Sequence, residues 1–215
     1  MADQKINVGN HSIDIEVSIK ENAKLNVILA HGSYNNMHYS IIQKLFDSLK
    51  REYSVMRFNF SFVGGNNNQK MDFERSVEEL EACIKYMGAR NIVIIGKSQG
   101  GYIGTLLAGR NDLGIKCVLV LGYPMHEPDR PHEIRHEFSH MHLEERKLPV
   151  EFIIGDSDPL WNVREAPPIF AKYRIHIIPN AGHSYKPVKP GTTADENEYI
   201  VVQLVKQVLS KLAKV

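Results

Sequence analysis

A serine hydroxyl becomes a nucleophile when a histidine takes its proton and a carboxylate orients that histidine. Four short stretches of this chain offer those residue types beside glycines. The first is Gly96-Lys97-Ser98-Gln99-Gly100-Gly101, a G-x-S-x-G pattern with one extra glycine. In a nucleophile elbow this pattern joins a strand to a helix. Its glycines leave room for a sharp turn that strains the serine, and the helix N-terminus points free N–H groups at an oxyanion formed beside it. The pattern alone is a weak signal; its placement gives it weight. It directly follows the apolar run Ile92 to Ile95 and opens a helical pattern of small and apolar residues. Gly96-Lys97-Ser98 also matches the end of a phosphate-binding loop. That motif needs a glycine five residues before Gly96, where this chain has Asn91, and Ile92 to Ile95 read as strand.

The second stretch is His31-Gly32-Ser33-Tyr34, at the exit of the apolar run Leu25 to Ala30. A loop here faces the elbow, so Ser33 is a candidate for one oxyanion N–H and Gln99 for the other. The third, Gly155-Asp156-Ser157-Asp158-Pro159, follows Val150 to Ile154 and presents two candidate carboxylates, Asp156 and Asp158. The fourth, Ala181-Gly182-His183-Ser184, follows Arg174 to Ile178 and offers a base that titrates near neutral pH. Singly these are an ordinary strand exit, an Asp-Pro turn and one of ten histidines. Together they place serine, acid and histidine in the chain order of an elbow-type triad, each at the end of a strand.

The elements that must hold these residues follow from hydrophobic periodicity. Ile13, Ile15, Val17 and Ile19 alternate with polar residues, which predicts a half-buried strand near an antiparallel edge. Continuous apolar runs at Leu25–Ala30, Tyr53–Phe58, Asn91–Ile95, Lys116–Leu121, Val150–Ile154 and Arg174–Ile178 predict parallel strands buried on both faces. Helical spacing appears over Tyr39–Arg51, Asp72–Met87, Gln99–Ala108 and Glu196–Ala213. The alternation predicts one α/β domain over residues 1–215: a doubly wound, mostly parallel sheet in a three-layer sandwich, with its site at the carboxyl ends of the strands. Asn59 to Lys70 reads as a polar loop. Gly122 to Pro149, rich in Pro and His, reads as an excursion with one or two short helices, too short for a full lid.

Composition narrows the function classes. The chain has 215 residues, 26 Lys plus Arg against 25 Asp plus Glu, and 43% hydrophobic residues. That is a globular composition with no electrostatic case for nucleic acid or an anionic membrane. No apolar run approaches the ~20 residues of a membrane span. Met1 to Asn10 lacks the apolar segment of a signal peptide, so a cytoplasmic location is expected. Cys83 and Cys117 fall in a helical and a strand pattern, as buried free thiols do. His132, His136 and His140 would share a face if helical, but the intervening charges and Pro131 argue against a metal site there.

The sequence resembles the α/β-hydrolase superfamily. It is most similar to the small, lidless, dienelactone-hydrolase-related group that includes the testis-expressed hydrolase-like proteins. The residues carrying this are Ala30-His31-Gly32, Arg57-Phe58-Asn59-Phe60, Gly96 to Gly101, Leu121-Gly122-Tyr123-Pro124-Met125-His126, Gly155 to Pro159 and Gly182-His183-Ser184. The resemblance implies Ser98 as nucleophile, His183 as base and Asp158, rather than Asp156, as its orienting acid. A triad of this kind at an open, lidless site is expected to hydrolyse a small carboxylic ester or thioester through an acyl-enzyme, without metal or organic cofactor. Gln99 stands where many relatives have Met, and the Asn-rich loop Val63 to Lys70 departs from the family's more basic version. Tyr34, Tyr123, Met125 and Trp161 fall in loops expected to border the strand ends and are candidates for the substrate pocket. A binding module with an idle triad and a serine peptidase of the same superfamily are the alternative readings.

Overall fold

Alternation at the start of the chain gives way to continuous apolar runs, and the sheet changes from antiparallel to parallel at the same place. A computed structural model describes residues 4–63, 72–134, 141–145, 149–161 and 168–214. β1 (Gln4–Val8) pairs antiparallel with β2 (His11–Ser18), and β2 pairs antiparallel with β4 (Ser54–Phe58). From there β3 (Asn26–Ala30), β5 (Ile92–Lys97), β6 (Ile115–Leu121), β9 (Val150–Gly155) and β10 (Arg174–Ile178) extend a parallel sheet. The order is β1-β2-β4-β3-β5-β6-β9-β10. β1 is an addition to the expected elements. Its polar residues hide a two-residue alternation that buries only Ile6 and Val8.

Successive residues of a strand face opposite sides of the sheet, so the parallel strands feed two cores. On one side Val27, Leu29, Val93, Ile95, Leu119 and Ile153 pack with α1 (Ser40–Leu49) and α5 (Ala194–Leu212). On the other, Ile28, Ile94, Val118, Val120 and Ile154 pack with α2 (Phe73–Tyr86) and α3 (Gln99–Leu107). Helices on both faces make the three layers. Capping sets the helix starts: Asp72 accepts the Arg75 N–H before α2, and Thr193 with Glu196 forms a capping box that starts α5 at Ala194, ahead of the expected Glu196.

The excursion after β6 differs from the expected one or two short helices. It begins with a hairpin of β7 (His126–Glu127) and β8 (Arg130–Ile134), followed by a one-turn helix, α4 (Met141–Glu145). Its prolines and charges carry no period that would announce a strand. His132 lies in β8 rather than on a helix, while His136 and His140 lie outside the described residues. Among the described residues no group of three or more His, Cys, Asp or Glu is arranged to hold a metal ion. None of their helices is long and apolar enough to cross a membrane.

Candidate active site

The elbow is built by glycines that permit contacts no side chain would. Ser98 caps α3 with φ 52° and ψ −119°, a region that costs a residue with a Cβ. Its N–H donates to the Leu121 carbonyl at 2.9 Å and its own carbonyl accepts the Tyr102 N–H at 3.0 Å. A Cβ on Gly96 would stand 2.3 Å from the Gly101 nitrogen, and one on Gly100 would stand 2.5 Å from the His31 carbonyl. Packing of the strand, the helix and the loop after β3 therefore holds the strained serine in place.

Three of the four stretches converge on Ser98 through side chains. His183 Nε2 lies 3.0 Å from Ser98 Oγ, and His183 Nδ1 lies 3.0 and 2.8 Å from the two carboxylate oxygens of Asp158. A proton on Nδ1 directed at Asp158 leaves the Nε2 lone pair free to accept the serine proton. Asp158 is 4% exposed, and its Oδ1 also accepts the Leu160 N–H at 2.8 Å. Asp156 points elsewhere. It is exposed and accepts the Ala181 N–H at 3.3 Å, tying the acid turn to the histidine loop. Gly155 brings those segments together, since a Cβ there would stand 2.1 Å from the Ala181 carbonyl.

Burial pushes the His183 pKa below its ordinary value, and the Lys97 ammonium pushes it the same way; the hydrogen bond and charge of Asp158 oppose both. The net shift keeps the imidazole neutral at neutral pH, as a general base requires. The loop carrying it is pinned from below. The Tyr185 hydroxyl donates to the Ile153 carbonyl at 2.8 Å, and Asn197 of α5 donates to the Tyr185 carbonyl at 2.8 Å.

The loop after β3 lies against the elbow. A Cβ on Gly32 would stand 3.1 Å from both the Lys97 carbonyl and Ser98 Cβ. Ser33 Oγ donates to Gln99 Oε1 at 2.5 Å, so the side chains of the two oxyanion candidates bind each other. Gln99 is the first residue of α3, where N–H groups have no intrahelical acceptor. His31 is fully buried, and burial lowers its pKa to about 4.

The four pocket candidates separate. Tyr34 is 100% exposed with φ 60°, at the tip of the loop beside Ser33. Tyr123, Met125 and Trp161 are 0%, 3% and 1% exposed and belong to the core instead of an open wall. Tyr123 meets Trp161 edge to face at 5.8 Å, and Trp161 meets Phe170 at 4.4 Å. Aromatic rings gain more from such packing than from lining water-filled space.

Sequence reasoning missed Lys97, His31, Tyr185 and Asn197 as members of the site's support. Lys97 gave one signal, a charged residue ending an otherwise apolar strand. Tyr185 and Asn197 gave none, because their partners lie 32 and 12 residues away.

Known proteins match this architecture throughout. The α/β hydrolase domain model matches residues 23–210. Est1E from Butyrivibrio proteoclasticus, solved with ferulic acid bound, superposes with a TM-score of 0.77 at 15% identity, over 99% of this chain and 100% of that one. XC6422 from Xanthomonas campestris, a serine hydrolase without a lid, gives 0.71 at 16% identity, over 98% and 94%. An α/β serine hydrolase homologue from Coxiella burnetii gives 0.70 at 15% identity, over 96% of each chain. At such identities the structures speak for the fold alone, whereas the family match spans the elbow, the acid turn and the histidine loop: this chain belongs to the α/β hydrolase domain family.

Proposed function

We propose that this protein is a serine hydrolase that cleaves a small carboxylic ester or thioester through an acyl-enzyme on Ser98. The observation that carries this reading is the unbroken hydrogen-bonded relay from Ser98 Oγ through His183 to Asp158. His183 Nε2 takes the serine proton as Oγ attacks the substrate carbonyl, and Asp158 stabilises the imidazolium. The Gln99 and Ser33 N–H groups receive the oxyanion, each worth roughly 2.7–4 kcal/mol to the transition state. His183 returns the proton to the departing alcohol or thiol. Water then enters on the same base and releases the acid. The scheme needs no metal or organic cofactor.

The short excursion after β6 favours small, soluble substrates over long lipid chains. Est1E is a relative seen with a free carboxylic acid, the kind of product ester cleavage releases. Tyr34 is the one proposed substrate contact that is exposed at the site's edge. Cys83 and Cys117 are buried free thiols, which supports residence in the reducing cytoplasm.

The test is covalent labelling with a fluorophosphonate, mapped by mass spectrometry, with Ser98→Ala alongside. Label on Ser98 that is absent from the variant supports the reading. A folded protein that takes no label points instead to a binding module with an idle triad.

A further inference from the structure

Lys97 occupies the position before the nucleophile, ends β5 and is 2% exposed. Its Nζ is buried, and no hydrogen-bond acceptor among the described residues meets it. Burying an ammonium without a hydrogen bond is costly unless a counter-charge offsets it. Gly122 shows where the charge sits. A Cβ on that glycine would stand 3.1 Å from Lys97 Nζ and 3.1 Å from His183 Nδ1 and Cε1. The ammonium and the imidazole thus flank one residue, which turns with φ +68° and has no side chain between them. Asp158, bonded to the same imidazole nitrogen, supplies the buried negative charge.

We propose that Lys97 is a positioning residue for this site: its buried ammonium balances Asp158 and holds His183 neutral, ready to accept the Ser98 proton. With Asp158 ionised, Lys97 charged and His183 neutral, the buried cluster carries no net charge. Protonating the resting imidazole would add a second buried cation against the first. During acylation the imidazolium arises together with the oxyanion, so the positive charge appears only when a negative one has formed nearby. Lys97 Nζ is covered by Gly122 and works through His183 rather than on substrate.

The other ionisable groups around the elbow do not take this part. Tyr185, on the His183 loop, donates to the Ile153 carbonyl, and burial raises its phenol well above the ordinary value. Tyr123, after β6, is raised in the same way. His31, after β3, is held neutral by burial. Asp156, on the acid turn, is exposed and engaged with Ser157 and Ala181. Lys97 is the one cation among these groups. The Lys97 charge and that of Asp158 act on His183 in opposite directions.

The functional meaning of this balance rests on the hydrolase reading, but its test does not. The His183 imidazole is titrated by proton–nitrogen NMR in the wild type, Lys97→Met and Lys97→Gln, with its signal assigned by its loss in His183→Gln. Both neutral variants should raise the midpoint by about one pH unit. The fluorophosphonate labelling rate at pH 6, relative to pH 8, should fall several-fold in each. Two neutral side chains of different polarity keep the test valid if one variant folds poorly. A midpoint that does not move in either variant overturns the proposal, even if Ser98 labels normally. A midpoint that rises in protein that never labels upholds the Lys97 balance and removes the hydrolase reading.

Discussion

The backbone N–H of Phe60 donates to Nε2 of His31 at 3.1 Å, joining the segment after β4 to the loop that carries Ser33. The other ring nitrogen, Nδ1, donates to the Gly32 carbonyl at 2.8 Å. Only the neutral ring can do both, because a proton on Nε2 would face the Phe60 N–H.

This arrangement sets an acid limit on stability. Burial lowers the His31 pKa from 6.5 to about 4. Between those values the unfolded chain binds the proton and the folded chain does not. The contribution is therefore complete above pH 6.5 and is lost as the pH falls toward 4, by about 1.4 kcal/mol per pH unit. Urea unfolding at pH 7 and pH 4.5 should show this loss in the wild type and a smaller one in His31→Gln. Equal losses in both would show that other groups set the limit.

Lys97 should act on stability in the opposite sense to its role in the site. Burial lowers its pKa from 10.5 to about 8. Below pH 8 folding carries the full cost of the buried charge, and the cost disappears as the pH rises to 10.5. Wild type should therefore gain about 3 kcal/mol relative to Lys97→Met as the pH rises from 8 to 10.5, because only the wild type carries this titrating group. Chemical denaturation across that window measures it, and a stability difference that does not vary with pH would contradict the assignment.

Ser33→Ala removes the donor from Gln99 Oε1 in a residue whose Nε2 is already buried without a partner among the described residues. Leaving that acceptor unpaired should cost about 1–3 kcal/mol. It should also loosen the loop that presents the Ser33 N–H. Thermal unfolding and the fluorophosphonate rate should fall together.

Gly155→Ala should separate the acid turn from the histidine loop, because the new Cβ meets the Ala181 carbonyl, which is backbone and cannot swing away. A loss of about 3 kcal/mol is expected, with His183 displaced from Asp158. The readouts are the melting temperature and the NMR midpoint of His183.

The two kinds of aromatic candidate should separate cleanly. Trp161→Ala opens a cavity in the core and should cost about 3–5 kcal/mol. Tyr34→Ala, fully exposed, should change stability by no more than about 0.5 kcal/mol and alter only KM. A change in KM without loss of stability at Trp161 would return that residue to the pocket.

The elbow, the acid turn and the histidine loop were legible from residue order because each is a local device. A strand must end, the chain must turn, and the turn needs glycines beside the reactive residue, all within about six positions. Parallel strands were legible for a similar reason, since burial on both faces removes alternation from the sequence itself. Residue types alone left Asp156 and Asp158 open. The family resemblance favours Asp158, and the tertiary structure supplies the physical ground, turning one carboxylate to His183 and the other to the Ala181 backbone. It also decided that Tyr123 and Trp161 close the core, and that the hairpin β7–β8 fills a stretch with no period. Above all, it placed the Lys97 ammonium against the glycine that His183 also touches. Gly122 and His183 lie far from Lys97 in sequence, and charge acts through space, so the effect of Lys97 on the base exists only once the sheet has brought three strand ends together.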